Sequence, residues 1–148
     1  MATERADAAL ELHGRGCNCA QAVLTVFASD LGMAQEEALR IASAFGGGMG
    51  RTDGMCGTVT GACMVLGLRS GMRRPEDKSA KDSAYARMQE FDRRFRARHG
   101  EVSCTGLLGV NLSVPEDLQA ARDRNLFSTR CNELIRSAVE ILEDMARS

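Results

Sequence analysis

Six cysteines, Cys17, Cys19, Cys56, Cys63, Cys104 and Cys131, hold most of the reactive chemistry open to this chain. As thiolates they are soft ligands for zinc or iron–sulfur clusters, and nucleophiles toward disulfides. No Cys-x-x-Cys pair occurs, so neither a thioredoxin-like motif nor a zinc ribbon is present. Cys19, Cys56, Cys104 and Cys131 are separated by 37, 48 and 27 residues, so only folding can bring them together. Other chemistry is sparse. His13 and His99 are the two histidines, and both fall near expected helix ends, where exposed capping is the expected role. No Cys-x-x-Cys-His motif supports covalent haem, and no paired carboxylates or Ser/His/Asp set stands out. The run Phe45-Gly-Gly-Gly-Met-Gly50-Arg51-Thr52 lacks one Gly and the Lys of a P-loop, and no register gives Gly-x-Gly-x-x-Gly. Its expected use is to let backbone pass close to a cofactor. Arg51 is either a nearby positive charge or a solvated loop residue.

The elements that must position these thiols read as helices. Ala6, Ala9, Leu10 and His13 mark a first helix, ended by Gly14 and Gly16. Asn18 is a good N-cap, with Gln21 three residues on as a variant capping box, and an apolar, central helix follows to about Gly32. A third helix is expected from Gln35 to Phe45. The Gly46–Gly54 stretch is too glycine-rich for a stable helix or strand. The run 55–68 is β-branched enough for a strand, but Gly57 and Gly61 lie four apart, on one helical face where another backbone can approach. Pro75-Glu76-Asp77 opens the longest helix, with Gly100 as its stop; short helices at Ser103 and Pro115 and a last one near Ser128-Thr129 follow. The expected fold is all-α: a single compact bundle of about six to seven helices, with a Gly-rich loop before the central cysteine helix.

On that map Cys19, Cys56, Cys104 and Cys131 all fall at helix N-termini. Free backbone N–H groups and the positive end of the dipole favour anions there, so a lowered thiol pKa is expected. If the four converge, they form an all-cysteine site for iron–sulfur or zinc. The competing reading makes all six cysteines small buried hydrophobes. Cys17 lies in a turn and is either a resolving thiol or a spare ligand, while Cys63, two turns beyond Cys56, is expected in the core.

Composition bounds the rest. The chain has 148 residues, 44% hydrophobic, with 19 basic and 20 acidic side chains, which suits one domain over 1–148. The near-zero net charge gives no reason to bind nucleic acid or an anionic membrane. No apolar run reaches the roughly 18 residues of a membrane span, and the charged start does not read as a signal peptide. A cytoplasmic location is expected. Aromatics are only 4%, so helix faces are built from small residues, which is compatible with pairing into a homodimer.

Asn18-Cys19-Ala20-Gln21-Ala22-Val23, Phe45-Gly-Gly-Gly-Met49, Cys56-Gly57-Thr58-Val59-Thr60-Gly61, Cys104 and Cys131 together resemble the C_GCAxxG_C_C family of redox-active proteins. The resemblance spans about residues 10–142. Carried over by motif, its four cysteines are Cys19, Cys56, Cys104 and Cys131, with Gly57 and Gly61 as the motif glycines; Thr58 replaces the family's Ala. It implies a small helical redox protein. Similar domains occur beside haem-binding segments, where the four cysteines are taken to hold a non-haem iron centre; with no haem motif here, only the iron–sulfur half of that analogy transfers. The leading expectation is an iron–sulfur cluster, of two-iron type, exchanging single electrons with a redox partner protein. Two alternatives stay open: a metal-free thiol/disulfide oxidoreductase cycling Cys19 and Cys56, and a zinc-stapled or purely helical interaction module.

Overall fold

Two helices built from small residues form the centre of the molecule, and the others wrap them. The computed structural model describes residues 2–147. In chain order these form α1 (Ala2–Gly14), α2 (Cys19–Ala28), α3 (Gln35–Ile41), the single turn α4 (Gly46–Met49), α5 (Gly57–Ser70), α6 (Lys78–His99), α7 (Cys104–Leu108), α8 (Pro115–Asp123) and α9 (Arg130–Arg147). Among the described residues there is no strand, only an isolated antiparallel bridge between Met55 and Ser103. The all-α expectation therefore holds, and the β-branched run after Cys56 is helix. The helix count exceeds six or seven, and the piece not expected as a helix is the single turn α4 in the Gly-rich stretch.

α2 buries Ala20, Ala22, Val23, Leu24, Thr25, Phe27 and Ala28, as a helix apolar on nearly every side must. It lies against α5 at a separation that only glycine permits. A Cβ on Gly61 would sit 2.9 Å from the Ala20 carbonyl oxygen, and one on Gly57 would sit 3.0 Å from both the Ala20 nitrogen and Cys19 Cβ. The small face expected from the sequence thus has a named partner, and it draws the start of α2 to the start of α5.

α9 closes the core with Leu134, Ile135, Ala138, Val139, Ile141, Leu142 and Met145, and α1 lies along it through Ala6 and Ala9. α6 flanks α5 and α9 with Phe91 and Phe95, both fully buried, their rings 5.7 Å apart. Truncating either ring would cost about 3–5 kcal/mol. α6 begins at Lys78 rather than at Pro75, because the Asp77 side chain accepts from the Ala80 N–H and so caps the helix there. α3 likewise ends at Ile41, with a 3-10 turn at Ser43–Phe45 completing the stretch read as one helix.

A second, smaller core lies under α7, α8 and the start of α9. Leu108, Leu112 and Ala121 pack there with Cys104 and Cys131. Cys19 touches both cores. The cysteines therefore sit along the seam between the two.

Candidate four-cysteine site

Local capping explains where each thiol stands. Asn18 and Gln21 form the full capping box: Gln21 N–H donates to Asn18 Oδ1 at 2.8 Å, and Asn18 N–H donates to Gln21 Oε1 at 2.9 Å. The Asn18 amide also donates to the carbonyls of Ala42 and Ser43, so the start of α2 is held against the end of α3. Cys19 is thereby the first residue of α2. Cys56 occupies the N-cap position of α5. Cys104 opens α7 behind the Ser103 cap, whose hydroxyl accepts from Gly106 N–H at 3.0 Å. Cys131 is the second residue of α9. Two backbone bonds tie the middle pair together: Cys56 N–H donates to Val102 O at 2.8 Å, and Cys104 N–H donates to Gly54 O at 3.0 Å.

The turn that precedes α5 has an unusual hand. Gly47, Gly48, Met49, Gly50 and Arg51 all have positive φ, between 63° and 76°, and helix-type bonds run Gly50 N–H to Gly46 O, Arg51 N–H to Gly47 O and Thr52 N–H to Gly48 O. It is a left-handed turn, allowed by its glycines and strained at Met49 and Arg51. Its tightness places it against the site. A Cβ on Gly48 would lie 2.8 Å from Cys104 Cβ, and one on Gly46 would overlap the Asn18 side chain. The expectation of irregular loop here gives way to a compact turn packed on two of the cysteine segments.

Cys19, Cys56, Cys104 and Cys131, joined by Cys17, line one cavity of about 710 Å³. Cys56, Cys104 and Cys131 are buried, Cys17 and Cys19 half-buried. Cys63 is exposed and does not line the cavity, contrary to the core position expected for it. Cys56 caps α5 rather than lying on its side, so a spacing of seven residues does not put Cys63 beside it.

The expected lowering of all four thiol pKa values does not occur. The Cys19 thiol is held well above its ordinary value, first because it donates to the Cys131 sulfur, then by burial, and then by repulsion from Cys131, Cys56 and Cys104. Burial also raises Cys56, although the Thr58 hydroxyl, 3.0 Å from its sulfur, pulls the other way. Cys104 is pushed up to about 12 by burial and by the charges of Cys56, Cys131 and Asp53. Only Cys131 is lowered, by the Cys19 hydrogen bond, with the Arg130 guanidinium adding to it against burial. In this protein desolvation and mutual repulsion outweigh the helix dipoles.

The rest of the lining was less legible. Thr58, behind the lining, is fully buried with its hydroxyl 3.0 Å from Cys56 Sγ. His13 is half-buried and hydrogen-bonded to Asn132 at 2.8 Å at the cavity wall, not an exposed cap. His99, also half-buried, lies away from the cavity against the Phe95 ring. Arg51 lines the cavity together with Arg122 of α8, which no sequence feature singled out.

Comparison with known proteins adds one decisive finding. Residues 17–145 match the family model described as "Putative redox-active protein (C_GCAxxG_C_C)". The chain belongs to the C_GCAxxG_C_C family. Searches of curated proteins and of solved structures gave no match. The C_GCAxxG_C_C match takes in the four cysteines at helix starts, the glycine turn and Thr58.

Proposed function

We propose that this redox-active chain carries an iron–sulfur cluster on Cys19, Cys56, Cys104 and Cys131, of two-iron type, and exchanges single electrons with a partner protein. The supporting observation is that four thiols, each at the start of a different helix, line one cavity and feel one another's charge. The donor set suits such a group. Among the described residues no three Cys, His, Asp or Glu side chains are gathered tightly enough for one metal ion. Four thiolates on a single zinc would stand about 3.8 Å apart, given a Zn–S bond of about 2.3 Å in a tetrahedron.

Such a cluster, when bound, supplies a one-electron couple. The chain's own residues set its conditions. Burial of Cys56, Cys104 and Cys131 keeps water from the sulfurs. The Thr58 hydroxyl at Cys56 stabilises added negative charge and so favours the reduced state. Raised thiol pKa values mean that loading must release protons. Gly46, Gly48 and Gly57 leave the cysteine segments room that any side chain would fill.

One observation supports a second reading. Cys19 and Cys131 line the same cavity, and Cys19 lowers the Cys131 thiol pKa while its own is raised, which suits thiol–disulfide exchange. There the Cys131 thiolate attacks a substrate disulfide and expels one sulfur as a thiolate. Cys19, after giving up its proton, resolves the mixed disulfide; the substrate gains two electrons and a Cys19–Cys131 disulfide forms. In this reading Cys131 stands where the sequence reading put Cys56, because Cys19 and Cys131 shift each other's pKa in opposite directions.

The test is an absorption spectrum of anaerobically purified protein with iron and acid-labile sulfide assayed on the same sample. Visible charge-transfer bands with matching iron and sulfide, lost in each Cys→Ser variant at 19, 56, 104 and 131 but kept in Cys63→Ser, are expected. A colourless protein that fails reconstitution, and that loses disulfide reductase activity only at Cys19 and Cys131, would establish the second reading instead.

A further inference from the structure

We propose that the cavity beside the four cysteines binds a small organic dianion through Arg51 and Arg122. This rests on the cavity's being the functional centre, but not on which redox group occupies it. At about 710 Å³ the cavity lies within the range of small-ligand sites, roughly 300–1,000 Å³. Its lining includes His13 and two solvent-exposed arginines, Arg51 and Arg122, and no Asp or Glu. Neither the Arg51 nor the Arg122 guanidinium has a hydrogen bond or ion pair among the described residues. The carboxylates nearest them in sequence are engaged elsewhere: Asp53 accepts from the Thr105 hydroxyl, and Asp123 from the Gln119 amide.

The backbone at Arg51 points the same way. Arg51 has φ 63°, beside Gly47, Gly48 and Gly50 in the same left-handed region, a position where glycine is relaxed and arginine strained. Planar guanidinium groups match carboxylate and phosphate oxygens in pairs, and two of them lining one cavity suit a doubly charged ligand. The reacting part of such a ligand would lie toward the sulfurs.

The experiment is isothermal titration of the purified protein with succinate and with inorganic phosphate, at ionic strength fixed by chloride. Wild type is compared with Arg51→Gly, which removes the guanidinium and relaxes the backbone, and with Arg122→Gln. Thermal unfolding checks that both variants fold. The expected result is saturable binding of at least one anion by wild type, weakened tenfold or more in each variant, with iron and sulfide contents unchanged. Succinate alone would assign a carboxylate ligand, phosphate alone a phosphoryl ligand. No saturable binding of either anion, or a variant that binds as wild type does, overturns the proposal. So does loss of iron and sulfide in the variants, since the arginines would then serve the thiolates. A wild type without iron or sulfide defeats the cluster reading and leaves the titration to decide this one.

Discussion

The hydroxyl of Thr58 sits 3.0 Å from Cys56 Sγ at a position with no solvent exposure. Replacing it with Ala removes a donor to sulfur, so the midpoint potential of the loaded protein should fall, and Thr58→Ser should restore it. Unfolding free energy should drop by about 1 kcal/mol in the Ala variant, the usual worth of one hydrogen bond, read by urea titration. His99 gives a pH prediction of a different kind. Its Nε2 is buried without a partner and its ring lies 4.7 Å from that of Phe95. Burial lowers its pKa, Arg130 and Arg98 add to this, and Glu133 opposes it. The unfolded chain therefore binds more protons between the folded pKa and its own value of about 6.5. Stability should decline as pH falls through 6.5 and level off below the folded pKa, and His99→Phe should flatten that region in urea titrations run from pH 7.5 to 5. Sequence pattern placed Cys19, Cys56, Cys104 and Cys131 at helix starts correctly, because capping residues are local signals. It missed the direction of three of their pKa values, because burial and the presence of other thiols exist only in the folded chain.

At the scale of elements, α2 and α5 are held together by what α5 lacks. Gly61→Ala would press a methyl group to 2.9 Å from the Ala20 carbonyl, and the helices must part to accept it. The expected loss is about 1–3 kcal/mol, with the starts of both helices, and so Cys19 and Cys56, displaced. Gly67 lies on the same helix with nothing within 4 Å of its would-be Cβ, so Gly67→Ala should instead gain about 0.5–1 kcal/mol. Thermal unfolding of both variants reads the contrast. The spacing of Gly57 and Gly61 made the close face legible before its partner was known. The left-handed turn was not legible. Glycines announce freedom without saying which way it is used, and Met49 and Arg51 argue locally against positive φ.

Across the whole molecule, the site joins two cores of unequal size. The larger spans α2, α5, α6 and α9, while the smaller rests on Leu108, Leu112 and Ala121 together with Cys104 and Cys131. With so few apolar side chains, the α7–α8 region would lean on a group held by the cysteines if the proposed cluster is bound. Stripping iron from the loaded protein with a chelator should therefore raise amide exchange first in residues 104–123 and last in α2 and α5. Uniform exchange through all helices would show that the bundle and the centre unfold together. Among the described residues no helix is long and apolar enough to cross a membrane. The two-core arrangement could not be read from sequence: the apolar residues of α8 and of the segment before α9 look like those of any short helix until Cys19 is seen to touch both clusters.

All four cysteines of the site stand in cap or first-turn positions, none in the middle of a helix. A first turn can fray while the remainder of its helix stays formed. On the proposed iron–sulfur reading, the larger core can therefore be complete before the centre is built, and delivery of iron and sulfide would be a step of maturation distinct from folding.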